Sequence, residues 1–311
     1  MPGTAAGGTG SGRKRWGWAA LMAGAFLAGL LLVGVVLLRT PEAERSTGDN
    51  FANSSAAIPT SSVPSDNGAA GPAKGPRLAI VVDGLGYDPV RDAEWLDIPE
   101  RITVSVLPYG PSSKSFAASA RTHGFGVILH VPMESEGGVA DRTEPFLLRR
   151  GMSPEEIADR FARMAADVPQ ANGASNHMGS AFTSDLGAMA SFGQALKGKR
   201  FFFVDSVTSA GTVASMAMEE AGVPAARRDI FLDADGRPGE MRRQWAAVIA
   251  LAKERGAAVA LCHARRETRK ALLELLPQLR TEGIRPVTVE ELLVGQDTQF
   301  RSGGHSSPSP R

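Results

Sequence analysis

The chain has 311 residues, 43% of them hydrophobic, with 34 Lys plus Arg against 33 Asp plus Glu. A net charge this close to zero argues against a dedicated nucleic-acid binder, which carries a basic excess. A single cysteine, Cys262, excludes an intrachain disulfide framework.

The chain begins with a basic cluster, Arg13-Lys14-Arg15, and an uncharged run from Trp16 to Leu38. That run meets the ~20 apolar residues a membrane-spanning helix needs. No small-x-small cleavage site follows it. The reading is a cytoplasmic basic stub at 1–15 and a signal anchor at 16–38. By the positive-inside rule the remainder then faces the periplasm of a bacterial inner membrane. Secretion after signal cleavage is the alternative. Residues 39–76, rich in Ser, Ala, Gly, Pro and Asn, read as a flexible linker, and 295–311 as a tail of the same kind. The folded part is 77–294, the size of one α/β barrel domain.

Within it, short apolar runs alternate with amphipathic stretches. Strands are predicted at Leu78–Asp83, Ile102–Leu107, Gly126–Val131, Phe201–Asp205, Asp229–Asp233, Ala257–His263 and Arg285–Val289, with a weaker one near Gly173–His177. Their apolar content with almost no alternation fits strands buried on both faces, as in parallel sheets. Ser153-Pro154-Glu155-Glu156 is a capping box with proline at the first helical position, starting a helix to about Val168. Gln244–Arg255 and Glu267–Arg280 have helical spacing, and each is followed within a few residues by a glycine. Seven or eight βα units imply a closed or nearly closed barrel, with an open doubly wound sheet as runner-up. Asp83-Gly84-Leu85-Gly86 lacks the third glycine of a dinucleotide fingerprint.

Ionisable residues fall at strand ends: Asp83, His130, His177, Asp205, Asp233 and His263. In an α/β barrel those ends share one rim, where catalytic groups gather. Histidines with carboxylates can hold a divalent ion that acidifies a water. They can also act directly as general base and acid. No serine lies in a Gly-x-Ser-x-Gly elbow, and Cys262 precedes His263 in one strand, so their side chains point to opposite faces. Structural duties compete at each position. Asp83 could cap the following loop, and His130 could be a structural histidine. His177 could brace the turn through Asn176. Asp205, with Ser206, could cap the next helix, and Asp233 could belong to a turn with Asp235-Gly236. Arg228 and Asp229 read as a structural ion pair. His123 and His305 fall outside the pattern.

The phrases Ile80-Val81-Val82-Asp83-Gly84-Leu85-Gly86, Leu129-His130-Val131-Pro132-Met133-Glu134, Asn176-His177-Met178-Gly179-Ser180, Phe203-Val204-Asp205-Ser206, Arg228-Asp229-Ile230-Phe231-Leu232-Asp233 and Cys262-His263 occur in this order. Over about residues 77–293 they resemble the divergent polysaccharide deacetylase family. The resemblance implies a distorted (β/α) barrel related to metal-dependent carbohydrate esterases, which remove acetyl groups from N-acetylated sugars. It implies Asp83 as base or metal ligand, His130 and His177 as ligands, and His263 as acid, with Asp205 or Asp233 orienting His263. Glu134, Asn176, Ser180, Ser206 and Arg228 would contact substrate. The implied cofactor is a divalent ion, zinc foremost. The implied partners are envelope polysaccharide or peptidoglycan, with the inner membrane bound through the N-terminal helix. Two departures stand out: Asp83-Gly84 where the family often has paired aspartates, and Cys262-His263-Ala264 where it often has Gly-His-Pro. The first function reading is therefore a membrane-anchored envelope carbohydrate deacetylase. The second is a non-catalytic glycan-binding or envelope-assembly protein using the same cleft. A two-metal phosphoesterase is disfavoured by too few carboxylates.

Overall fold

The computed structural model describes residues 75–138, 146–234 and 239–294. The expected anchor, most of the linker and the tail lie outside them, as does the Asp235-Gly236 turn. No helix among the described residues is long and apolar enough to cross a membrane.

The sequence folds as a curled, all-parallel sheet wrapped by helices, a distorted (β/α) barrel. In chain order the strands are β1 (Arg77–Leu85), β2 (Thr103–Val106), β3 (Gly126–Met133), β4 (Gly173–Met178), β5 (Phe202–Asp205), β6 (Ala225–Arg227), β7 (Ile230–Phe231), β8 (Ala257–His263) and β9 (Arg285–Val287). The helices are α1 (Pro89–Glu94), α2 (Ser113–Thr122), α3 (Pro154–Asp167), α4 (Leu186–Lys199), α5 (Ala214–Ala221), α6 (Glu240–Arg255), α7 (Arg266–Leu275) and α8 (Pro277–Thr281). The sheet runs β6-β5-β4-β3-β2-β1-β8-β7, and β9 pairs with the first residues of β1.

Nine short strands replace the expected seven or eight because the chain changes partner within one extended stretch. Residues 225–228 bond to β5, and 229–232 bond to β8. This segment carries the barrel wall from β5 to β8 where β6 and β7 do not pair with each other. The predicted helix over Glu267–Arg280 is cut in two by Pro277, which has no N–H to continue the ladder and starts α8 instead. The capping box forms: Glu156 N–H donates to the Ser153 hydroxyl, and Ser153 N–H donates to the Glu156 carboxylate.

Alternation along each strand separates two cores. One set of side chains faces the helices, among them Leu78, Ile80, Val82, Leu129, Phe203 and Cys262. The other set faces the barrel axis: Ala79, Val81, Ile128, Phe202, Val204, Val259, Leu261 and Val287. Val289, Leu292 and Leu293 join this inner cluster from helical residues 289–294 and plug the lower end. Inner space is tight there. A Cβ on Gly173 would lie 2.5 Å from the Phe202 ring, so only glycine fits opposite that phenylalanine.

Candidate active site

Continuing each inner row toward the strand's C-terminal end takes Ala79 and Val81 to Asp83, and Thr103 to Ser105. It takes Ile128 to His130, Gly173 to Ser175 and His177, and Val259 and Leu261 to His263. The apolar plug thus gives way to a polar layer at one level. Asp83 is paired in register with Ser105 on one side and with His263 on the other.

The contacts within this layer are continuous. The Ser105 and Ser175 hydroxyls lie 2.7 Å apart, and Ser175 Oγ is 2.8 Å from His130 Nδ1. His130 Nε2 is 3.1 Å from His177 Nδ1. Asp83 Oδ1 lies 3.7 Å from His130 Nδ1 and has no hydrogen-bond partner, although Asp83 is only 5% exposed. Burial pushes the Asp83 carboxyl up to about 7, against the opposing pull of His263 and of the Ser105 hydroxyl. Burial, helped by the His177 and His263 imidazoles, holds His130 well below the ordinary histidine range, so it is neutral. Below pH about 7 the pair is therefore a protonated carboxyl beside a neutral imidazole.

His263 stands at the edge of the cleft with its side chain 42% exposed and its ring against Phe231. Asp233 fixes it: Oδ1 is 3.2 Å from Nδ1, and the His263 backbone N–H donates to the same carboxylate. Thr268 donates to Asp233 Oδ2 at 2.7 Å, and the Arg265 guanidinium lies 3.8 Å away. Burial pushes Asp233 up, but the bonds from His263 and Thr268 outweigh it and leave the carboxyl below its usual range. An ionised carboxylate on Nδ1 leaves Nε2 to face the cleft, the arrangement of a histidine–carboxylate dyad.

Other residues singled out in the sequence do different work. Asp205, expected as an alternative partner of His263, does not touch it. It shares the outward parity of Phe203, accepts from Val207 N–H at 2.8 Å and from the Thr212 hydroxyl at 3.0 Å, and so holds the following loop. Arg228 and Asp229 do not pair with each other. Arg228 donates to Ser206 O and Val207 O and lies over the Phe231 ring, whereas Asp229 accepts from Val259 N–H and pairs with Arg255. Together Asp205 and Arg228 clamp Val207, a β-branched residue with φ +52°, a strained conformation. Asn176 bridges the same loop, accepting from Ser206 N–H and donating to Met178 O and Thr208 Oγ1. The Ser206 hydroxyl is buried without a partner. Glu134 accepts from Arg150 N–H and guanidinium, and these bonds overcome burial to lower its pKa. Ser180 Oγ accepts from Glu136 N–H. Cys262 is buried on the outer face, and burial raises its thiol well above the usual range.

A shared divalent ion would need its ligands gathered around one point. Two nitrogens bound to one tetrahedral zinc at about 2.0–2.1 Å lie roughly 3.3–3.4 Å apart, and His130 Nε2 and His177 Nδ1, at 3.1 Å, come close to that. Asp83, however, lies on the other edge of the His130 ring, beside Nδ1. No group of three or more His, Cys, Asp or Glu side chains suited to a metal occurs among the described residues. Gly84, where a second carboxylate would stand, has φ +88° with open space beyond its Cα. The protein ligands therefore fall one short of the three that a catalytic zinc takes.

The fold is a curled parallel α/β barrel whose C-terminal rim gathers the carboxyls of Asp83 and Asp233 with the imidazoles of His130, His177 and His263. The chain belongs to the divergent polysaccharide deacetylase family, whose model matches residues 80–293. It is 33% identical over 234 residues to an uncharacterized protein of Haemophilus influenzae, covering 75% of this chain and 80% of that one. It is 36% identical over 204 residues to the uncharacterized protein YibQ of Escherichia coli, covering 65% and 63%. Among solved structures, the uncharacterized protein ATU2773 of Agrobacterium tumefaciens superposes with a TM-score of 0.68 at 24% identity, covering 71% of this chain and 91% of that one. This likeness shows the shared fold.

Proposed function

We propose that the chain is a membrane-anchored, periplasm-facing hydrolase that removes acetyl groups from N-acetylated envelope glycans. The observation that carries this reading is the pairing of Asp83 with the Asp233–His263 dyad on adjacent strands. Asp83, titrating at about 7, is poised to exchange a proton near neutral pH. As carboxylate it takes a proton from a water, whose oxygen adds to the acetyl carbonyl. His263, oriented through Nδ1 by Asp233, gives a proton from Nε2 to the sugar nitrogen as the C–N bond breaks, releasing acetate and a free amine. The family membership and the basic-then-apolar N-terminus support the substrate class and the placement in the inner membrane. Zinc dependence is a separate proposal: His130 and His177 offer two ligands, and the steps above use only the chain's own groups.

The full-length protein is tested for acetate release from peptidoglycan and chitooligosaccharides, with metal content measured alongside. His263→Gln and Asp83→Asn should each lower the rate about 10²–10⁴-fold. A wild-type protein that binds glycan tightly yet releases no acetate, with or without zinc, overturns the hydrolytic reading. That outcome supports the second one, a glycan-binding or envelope-assembly protein, which the incomplete metal-ligand set favours.

A further inference from the structure

The lower end of the barrel, away from the strand-end rim, carries a cavity of about 480 Å³, within the usual range of ligand pockets, about 300–1,000 Å³. Its walls come from the N-terminal ends of strands. Asn172 precedes β4, Phe201 and Phe202 stand at the start of β5, and Val223 and Pro224 precede β6. Leu293 and Val294, from the floor of helical residues 289–294, close another side. Two exposed cations, Lys197 and Arg200 from the C-terminal end of α4, complete the lining. No carboxylate among the described residues pairs with either. Glu290, the acid of the lining, lies 3.8 Å from Arg121 instead. Asn172 Oδ1 is buried without a hydrogen-bond partner. The cavity therefore suits an occupant with an apolar group, an anion and an N–H donor.

The chain itself supplies all three directly beyond the cavity. It continues from Val294, on the lining, into 295–311, outside the described residues. That stretch holds one large apolar side chain, Phe300, and one acid, Asp297. An extended chain spans at most ~3.5 Å per residue, so Asp297 can stand up to about 10 Å from Val294 and Phe300 up to about 20 Å. Both are thus within reach of the walls. Past Phe300 come Arg301-Ser302-Gly303-Gly304-His305, with no further apolar anchor. Backbone N–H groups between the two anchors are donors that need an acceptor wherever they are buried. A segment tethered this closely meets its site at an effective concentration near ~1 mM, so even weak docking fills it.

We propose that this cavity is the docking site of the chain's own C-terminal segment. Phe300 enters between Phe201, Val223, Pro224 and Leu293, Asp297 meets Lys197 and Arg200, and an N–H between them donates to Asn172 Oδ1. Seated there, the segment braces helical residues 289–294, which floor the inner cluster. A fluorescein-labelled peptide of residues 295–311 is titrated into full-length protein. Wild type, whose own segment fills the cavity, should bind it at least about ten-fold more weakly than Phe300→Ser, whose cavity is open. In the Phe300→Ser background, Lys197→Glu should weaken peptide binding about five-fold, and a peptide carrying Asp297→Lys should recover most of it. Docking in cis is read separately. The pair Lys197→Cys and Asp297→Cys should oxidise to a disulfide within one monomer, since Cys262 is buried and does not compete. Adding Phe300→Ser should suppress that cross-link. Equal peptide binding by wild type and Phe300→Ser, or none by either, overturns the proposal, as does a cross-link indifferent to Phe300→Ser. A cross-link formed only between two chains also overturns it and gives the cavity to a second copy.

Discussion

The lower and upper halves of the barrel interior are built by the same strands, on the same alternating face, to opposite ends. Below, Val81, Ile128, Val204 and Leu261 close on one another with helical residues 289–294 as a floor. Two residues further along the same rows, Asp83, Ser105, His130, Ser175 and His263 replace them. One of their buried oxygens is left unmatched. The lower half supplies stability. The upper half spends some of it to bury the Asp83 carboxyl and the His130 imidazole where their proton affinities are moved from the ordinary values.

That contrast can be attacked in order of expected effect. Leu261→Ala in the plug should cost about 2–5 kcal/mol by leaving a cavity that fixed backbone on all sides cannot fill. A chemical-denaturation loss under ~1 kcal/mol would show the lower half to be loosely packed. Ser175→Ala should cost about 1–3 kcal/mol, since it removes the hydroxyl bonded to His130 Nδ1 and one of the partners of Ser105 Oγ. Ser175→Thr should restore most of it if the hydroxyl is the reason.

Next comes pH. Between pH ~4 and ~6.5 the unfolded Asp83–His130 pair holds one proton, on the histidine, and the folded pair also holds one, on the aspartate. The pair therefore gives no slope in that window. Asp83→Asn leaves a histidine that binds its proton only when unfolded, so stability should rise with pH up to ~6.5, by at most about 1.4 kcal/mol per pH unit. His130→Gln leaves an aspartate that binds its proton more tightly when folded, so stability should fall as pH rises toward 7. Urea melts of the three proteins at several pH values decide it: parallel profiles would mean that neither group changes its proton affinity on folding. The smallest stability effect is expected at the cleft edge, where His263→Gln should stay within about 0.5 kcal/mol of wild type while activity drops. A large loss there would move His263 from the reacting groups to the scaffold.

Much of this was readable in the residues, and what was missed has a physical reason. The period of two that places Cys262 behind His263 applies equally to Phe203 and Asp205, and turns Asp205 outward with that phenylalanine. Ser105 and Ser175 sit two residues from inward-facing neighbours. Hydroxyls inside apolar runs at that parity were a signal, but one weaker than a histidine or carboxylate. Thr268 and Arg265 come from the start of α7, far along the chain, and nothing local marks them as partners of Asp233. The split of β6 from β7 had no local signal either, because the chain's change from β5 to β8 depends on where the ends of the curled sheet meet. The strained backbone at Val207 runs against its β-branched preference, since Asp205 and Arg228 fix that loop from both sides.

Val289, Leu292 and Leu293 fill the lower end of the inner cluster and close that end of the barrel. A long chain cannot thread through it. Under the proposed function a fibre would lie sideways across the rim and offer a single pendant group to Asp83 and His263, in the middle of a mesh as readily as at a loose end.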